Sequence, residues 1–394
     1  MSAAAVNIMH RAASDISKGR GLSLIELLVS MVLGLTLATG VVQIYVGSST
    51  TERDREARQR IQENGRFATN FLSQEIRMAG YLGCLSSIEG ASVNNVLNGP
   101  PATFQPQFGV QGWEATGTNP GVINNGANDV AVVGTNTAEW TNGEGGHVIP
   151  TFNAVPNSDI IRIWNAAGSA GLVTSITEGA SASIQAESAA GIAANDFLIL
   201  SDCEQADFVQ ACAVVADAAP ATTSTITLSS ACNPGNDSPA IISSVTSVAD
   251  PAEVVRLEGT IFYVGKRNDT ATNSSSLFRR QLSATGTAGV AEELIEGVES
   301  MQILYGVNVD IDVRNTVDSY LPANLVTEFS KVISVRISLL MQSVEDGSVP
   351  APQIYTFDGV LYDGQSGNGA LPVDTRVRRV FTNTISLRNR ALGT

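Results

Sequence analysis

Few side chains in this sequence could do chemistry, and their spacing limits what that chemistry is. Histidine occurs twice, at His10 and His147, and cysteine four times, at Cys84, Cys203, Cys212 and Cys232. Two imidazoles exclude a multi-histidine metal centre, and any Cys-His or Ser-His-Asp site would have to be built on one of them. His147 ends the run Gly143-Glu144-Gly145-Gly146-His147, which has no GxSxG context, no following Lys and no strand-to-helix pattern around it. It reads as a surface loop rather than a nucleophile turn or a phosphate cradle. No CxxC pair is present, so a zinc site is not indicated. Asn308, Asp310, Asp312, Asn315 and Asp318 place oxygen ligands close together, as a calcium loop would. Val313 stands where such a loop needs Gly and no Glu follows at the twelfth place, so a solvated turn between strands is the better reading. Asn236, Asn268 and Asn273 head glycosylation-type triplets that say little here. No catalytic residue, metal or cofactor is expected, and the chain reads as something other than an enzyme.

The elements that carry these residues belong to an acidic, Gly-rich chain. It has 394 residues, 43% of them apolar, a net charge of −15 and only 15% charged residues, against roughly 25% in an average soluble domain. Phosphate binding needs clustered Lys and Arg, which are scarce, so nucleic acid is not an expected partner.

The N-terminus holds the most information. Residues 1–21 form a short basic, non-hydrophobic leader with Arg11, Lys18 and Arg20 against Asp15, ending in Gly19-Arg20-Gly21. Met9 offers an alternative start that would shorten it. Residues 22–46 are almost wholly apolar with one charge, Glu26. At about 1.5 Å per residue they are long enough for a hydrocarbon core of about 30 Å, with the basic leader on the cytoplasmic side. A secretory signal would place small residues after the apolar run; here the Gly precedes it, so the run survives processing. An intramembrane carboxylate is costly unless paired or snorkelled to the interface. If cleavage falls after Gly21, the new amino group of Leu22 lies one helical turn from Glu26, and the two can satisfy each other within or between subunits.

Gly21 followed by Leu22-Ser23-Leu24-Ile25-Glu26-Leu27-Leu28-Val29-Ser30 resembles the signal of type IV prepilins. That resemblance implies cleavage between Gly21 and Leu22 by a prepilin peptidase, N-methylation of Leu22, and an apolar helix serving as anchor and filament core. Leu22 stands where Phe is commonest, and the leader is longer than many. Residues 47–80 carry good helix formers without proline, and Ala57, Ile61, Ala68, Leu72 and Ile76 recur at helical spacing, which predicts an amphipathic continuation of the helix. Gly34, Gly40 and Gly47 are its weak points.

Residues 81–394 read as a β-rich head, with an inserted sheet or subdomain around 105–260. Strand candidates are 130–133, 160–164, 197–200, 225–228, 254–257, 261–264, 277–282, 302–307, 332–341, 354–361 and 377–387, and the period-2 run at 332–341 is the clearest. Residues 291–300 place Leu294, Ile295 and Val298 on one side of a short helix. The expected fold is therefore α+β, a pilin-like long N-terminal helix packed on a large antiparallel β-rich head.

Blocks along the head narrow the resemblance. Met78-Ala79-Gly80-Tyr81-Leu82-Gly83-Cys84, Ser201-Asp202-Cys203, residues 296–307, Val335-Arg336-Ile337-Ser338-Leu339, Arg378-Arg379-Val380-Phe381-Thr382 and Leu387-Arg388-Asn389-Arg390 look like the PilW group of minor pilins. This implies a low-abundance subunit at the pilus tip that primes assembly with other minor pilins, contacts the major pilin and displays a tip adhesin. It would sit in the bacterial inner membrane with its head in the periplasm, then in the pilus. A head in an oxidising compartment reads its four cysteines as two disulfides. Three pairings are open; Cys84 and Cys203 lie in two matching blocks, which favours that pair and leaves Cys212 with Cys232, against a local Cys203–Cys212 loop. Two other readings share parts of the pattern: a type II secretion pseudopilin, with the same signal and different partners, and a membrane-anchored periplasmic binding protein, with a ligand cleft and an uncleaved anchor.

Overall fold

The structure, a computed structural model, describes residues 23–85, 92–118, 120, 131–134, 139–179, 182–187, 191–218, 222–237, 252–267, 274–309, 316–362 and 374–389. The chain divides into two compact units, 1–53 and 54–394, taken separately below.

In the first unit the helix α1 (Leu24–Arg77) begins, and no described side chain before Asp54 is buried. Its hydroxyls turn inward onto the helix: Ser30 donates to the Leu27 carbonyl at 2.9 Å, Thr36 to Leu33 at 2.9 Å and Thr39 to Leu35 at 2.7 Å. Bonding back to the preceding turn is how a hydroxyl is satisfied where water is absent. The helix passes through Gly34, Gly40 and Gly47 without a break.

In the second unit the rest of α1 has one buried stripe, Ile61, Gly65, Ala68, Leu72 and Ile76, spaced three and four residues apart. Gly65 completes the stripe that the apolar spacing leaves incomplete: a Cβ there would run into the Phe381 ring, so only glycine allows this close approach. The opposite face is wet, with Asp54–Arg58 and Glu56–Arg60 paired at 2.8 and 2.7 Å.

Along the chain follow β1 (Ser92–Asn95), β2 (Val110–Ala115), β3 (Ala131–Val133), β4 (Trp140–Thr141), β5 (Phe152–Ala154), β6 (Ile160–Thr177), β7 (Ser183–Ala186), β8 (Phe197–Ser201), β9 (Gln205–Gln210), β10 (Ala213–Ala216) and β11 (Ser224–Thr227). Then come β12 (Glu253–Lys266), β13 (Ser275–Gln281), β14 (Glu292–Glu296), β15 (Val298–Val307), β16 (Ser319–Pro322), β17 (Val332–Gln342), β18 (Tyr355–Phe357), β19 (Val360–Tyr362) and β20 (Arg378–Ser386). A large sheet runs β1-β9-β8-β12-β6-β7-β11-β10 with β2, β4, β13 and β14 attached, and a small sheet runs β16-β15-β17-β20. Pairing is antiparallel except between β1 and β9. The stripe of α1, the inner face of the small sheet (Ile303, Tyr305, Val335, Ile337, Leu339, Met341, Ile385) and Val110, Ile161, Ile163 and Phe262 of the large sheet share one core. The layout is the α+β one expected: a long apolar N-terminal helix and a large head of antiparallel sheets.

Four local expectations are corrected. Residues 291–300 are not a helix: β14 and β15 meet at Gly297, whose φ of 82° turns one strand into the next, and β13 and β17 hold both as strands. The candidates 254–257 and 261–264 form one strand, β12; it runs through Gly259, where a Cβ would sit 2.8 Å from the Trp164 ring. The candidate 354–361 is instead the hairpin β18–β19, turning at Asp358 and Gly359 with φ of 47° and 79°. On β17 the period-2 alternation puts Ser334 on the face opposite Ile333 and Val335, where a solvated side chain is expected; it is buried instead and donates to the Tyr320 hydroxyl at 3.1 Å.

Candidate functional site

Among the described residues one helix is long and apolar enough to cross a membrane; its apolar window has a mean hydropathy of 2.1 and none of it is buried. Leu24, Ile25, Leu33, Leu35, Leu37, Ile44 and Tyr45 are all exposed. A continuous apolar surface of this size requires lipid or other helices around it. Glu26 is its charge near the start, in the first turn of α1. Ser23 stands just before the helix, and its backbone carbonyl accepts from the Glu26 and Leu27 amides at 2.9 and 3.1 Å. Ser23-Leu24-Ile25-Glu26 is thus a Ser-x-x-Glu start, a spacing that lets the carboxylate reach back to the N-cap backbone, where the helix dipole favours negative charge. Gly21 and Leu22 lie outside the described residues, as does His10.

Of the three pairings open to the cysteines, the structure forms Cys84–Cys203, with Cα atoms 5.1 Å apart, and Cys212–Cys232, at 5.2 Å. Cys84 lies just beyond α1 and Cys203, with φ of 72°, in the turn between β8 and β9. The first disulfide therefore fastens the exit of the helix to the large sheet. It closes a separation of 119 residues and the second one of 20, for which loop entropy suggests about 5 and 3 kcal/mol.

His147 does sit in an exposed Gly-rich loop, as expected, but its side chain turns inward from it. Its side chain is 1% exposed, packed against Phe108 and Phe329 with ring centroids at 4.5 and 5.4 Å. Gln111 contacts its Nδ1, and Glu144 lies 3.1 Å from Nε2 while accepting from the Phe329 amide at 2.6 Å. Burial pushes the imidazole pKa down against the opposing pull of Glu144, so the ring is held neutral at pH 7. A Cβ at Gly143 would run into the Asn324 and Val326 carbonyls, so the loop starts against the 323–326 segment, while Gly145 and Gly146 face open space.

Beside it Arg162 is wholly buried in β6. Its fork donates to Gln111 Oε1 at 2.8 Å, the Val148 carbonyl at 2.8 Å and Gln105 Oε1 at 2.9 Å, and it lies 5.0 Å from the Trp113 ring. Nearby, Asp159 accepts from the Ala115 and Ile303 amides at 2.9 and 2.7 Å, and Glu114 from Ala323 at 3.3 Å. Burial raises both carboxyls, Glu114 to about 8. These groups bind β2 and β6 to β15 and have no opening to solvent; their chemistry is structural. In the Asp ladder, Asp318 caps the Val309 amide at 2.7 Å, while Asp310, Asp312 and Asn315 lie outside the described residues. A cleft of about 190 Å³ between 194–197, 256–259 and 281–284 is smaller than the roughly 300 Å³ lower bound for ligand pockets. Its Arg256 and Gln281 are both turned onto Glu258.

Residues 261–389 match the model of the family described as PilW, type IV pilus-assembly protein W. The matched segment holds the small sheet whole, with the end of β12, β13, β14 and the β18–β19 hairpin. This supports the PilW resemblance of the blocks from residue 296 onward and a relation of the chain to type IV pilus assembly; the blocks at 78–84 and 201–203 lie outside the match. The matched segment supplies most of the core that the stripe of α1 shares, with Val110, Val155, Ile161 and Ile163 added from outside it. No curated protein and no solved structure matches the chain.

Proposed function

We propose that the chain is a minor pilin of a type IV pilus, of the PilW kind. A prepilin peptidase removes residues 1–21 and the amino group of Leu22 is methylated. The exposed apolar half of α1 anchors the subunit in the inner membrane and then packs in the filament core. Glu26 offers its carboxylate to the N-terminal amine of a neighbouring subunit, and the head joins other minor pilins, the major pilin and a tip adhesin in a complex that primes assembly. The observation that carries this reading is the coincidence, on one chain, of a fully exposed apolar helix with a single early Glu and a head that matches PilW. The match favours a pilus over a type II secretion system, which would use the same helix.

Glu26→Ala is expected to leave cleavage after Gly21 largely intact while reducing co-purification with partner pilins and the number of surface pili. Unchanged co-purification with normal piliation would remove the role given to Glu26.

A further inference from the structure

The last strand of the small sheet carries an unexpected charge. In a chain of net charge −15, residues 375–389 contain four arginines and no Asp or Glu. Arg376 and Arg378 are neutralised, by Asp374 at 3.7 Å and by Glu299 at 2.7 Å. Arg379 and Arg388 stay exposed. Two further arginines extend the strip. Exposed Arg77 accepts at its carbonyl from the Arg388 amide at 3.4 Å, and Arg336 donates to Thr384 at 3.2 Å while lying 4.0 Å over the Tyr320 ring. Among the described residues none of these four has a carboxylate within ion-pair distance.

The same strand is an open edge. β20 pairs with β17 in unbroken register from Ser334↔Ser386 to Gln342↔Arg378, and among the described residues it has no strand partner on its other side. Native proteins blunt such edges with Pro, bulges or covering elements, because the free amides and carbonyls recruit another strand. β20 has no Pro, no Gly and no bulge; Gln353 Oε1 accepts from the Arg378 amide at 2.8 Å at its start, and Thr382, Asn383 and Thr384 are exposed at its middle.

We propose that the free edge of β20 is a docking site for an extended acidic segment of another protein, which adds to the small sheet as a fifth strand. The free backbone selects a polypeptide, since main-chain hydrogen bonds are what a sheet edge offers. The unpaired arginines at both ends and on the neighbouring strand select negative charge. A second copy of β20 is disfavoured, because edge-to-edge pairing would bring two positive strips together. This inference concerns the head and stands whether or not residues 1–21 are removed.

The test uses the full-length protein in detergent micelles and a nine-residue peptide of alternating Val and Glu, read by amide hydrogen exchange. The peptide should protect the outward-facing amides of residues 380, 382, 384 and 386, the alternate ones that do not bond to β17. A Val–Lys peptide of the same length should bind about tenfold more weakly or worse, the loss expected when several rim contacts of under 1 kcal/mol turn repulsive. A Val–Glu peptide N-methylated at alternate residues, which cannot complete the ladder, should not protect. An R379E/R388E variant should reverse the preference between the Glu and Lys peptides. Equal protection by the Lys peptide, retained protection by the N-methylated one, protection elsewhere or none at all, or dimerisation through β20 would each overturn the proposal.

Discussion

Arg162→Ala is expected to destabilise the head by more than about 4 kcal/mol, the range reserved for buried-network and cavity losses. Arg162 is 0% exposed and among the described residues has no carboxylate partner. Its charge is carried instead by three oxygens, from Gln111, Gln105 and Val148, and by the faces of Trp113 and Trp164 at 5.0 and 5.9 Å. Burial lowers its pKa only to about 9, so it is cationic at neutral pH. Truncation strands the oxygens, each about 1 to 3 kcal/mol, and opens a cavity between two indoles, where large-to-small changes cost about 3 to 5 kcal/mol. Arg162→Lys keeps the charge but loses the fork, so its denaturation midpoint should fall between wild type and Arg162→Ala. Equal midpoints for the wild type and Arg162→Ala would show that the network contributes nothing.

A second expected result is a head that loses stability as pH rises. Glu114 and Asp159 lie together at the junction of the sheets with Asp358 and the buried hydroxyl of Tyr305, which has no hydrogen-bond partner among the described residues. Desolvation is the largest cause at each carboxyl, and mutual repulsion among Glu114, Asp159 and Asp358 adds to it. No cation acts on the cluster among those causes. For a carboxyl whose folded pKa lies above its unfolded value, the protonated form is the one the fold holds. The stability it contributes is whole below its unfolded pKa of 4.5 and is lost as pH climbs through its folded value of about 8. The Tm of the wild type should therefore fall by several degrees between pH 5 and pH 8. Glu114→Gln, neutral at every pH and able to keep the Ala323 hydrogen bond, should flatten that fall and be the more stable form at pH 8. A wild-type Tm that rises over this interval, or a variant with an undiminished slope, contradicts the buried-acid assignment.

What could be read from the sequence follows from which interactions are local. α1 was legible because an apolar run and then a stripe at Ile61, Ala68, Leu72 and Ile76 impose their period within one element; Gly65 was not, since its reason is the Phe381 ring more than 300 residues away. β17 was legible from its alternation. Residues 291–300 misled because Glu, Ala and Leu favour a helix locally, while pairing with β13 and β17 and the joint at Gly297 decide otherwise. The burial of His147 was not legible from its Gly-rich loop, because the aromatic rings that cover it, Phe108 and Phe329, lie far apart in the chain. Arg162 had a signal that went unread: a single cation between Ile161 and Ile163, next to Trp164, in a strand buried on both faces. Cysteine spacing left the disulfide pairing open, because connectivity depends on where α1 ends relative to the β8–β9 turn.

The central claim is that the apolar helix enters a filament after processing at Gly21. N-terminal sequencing of the mature protein by mass spectrometry tests it most directly. An N-methylated Leu22 as the first residue is the result predicted; a chain that still begins at Met1 or Met9 would contradict it.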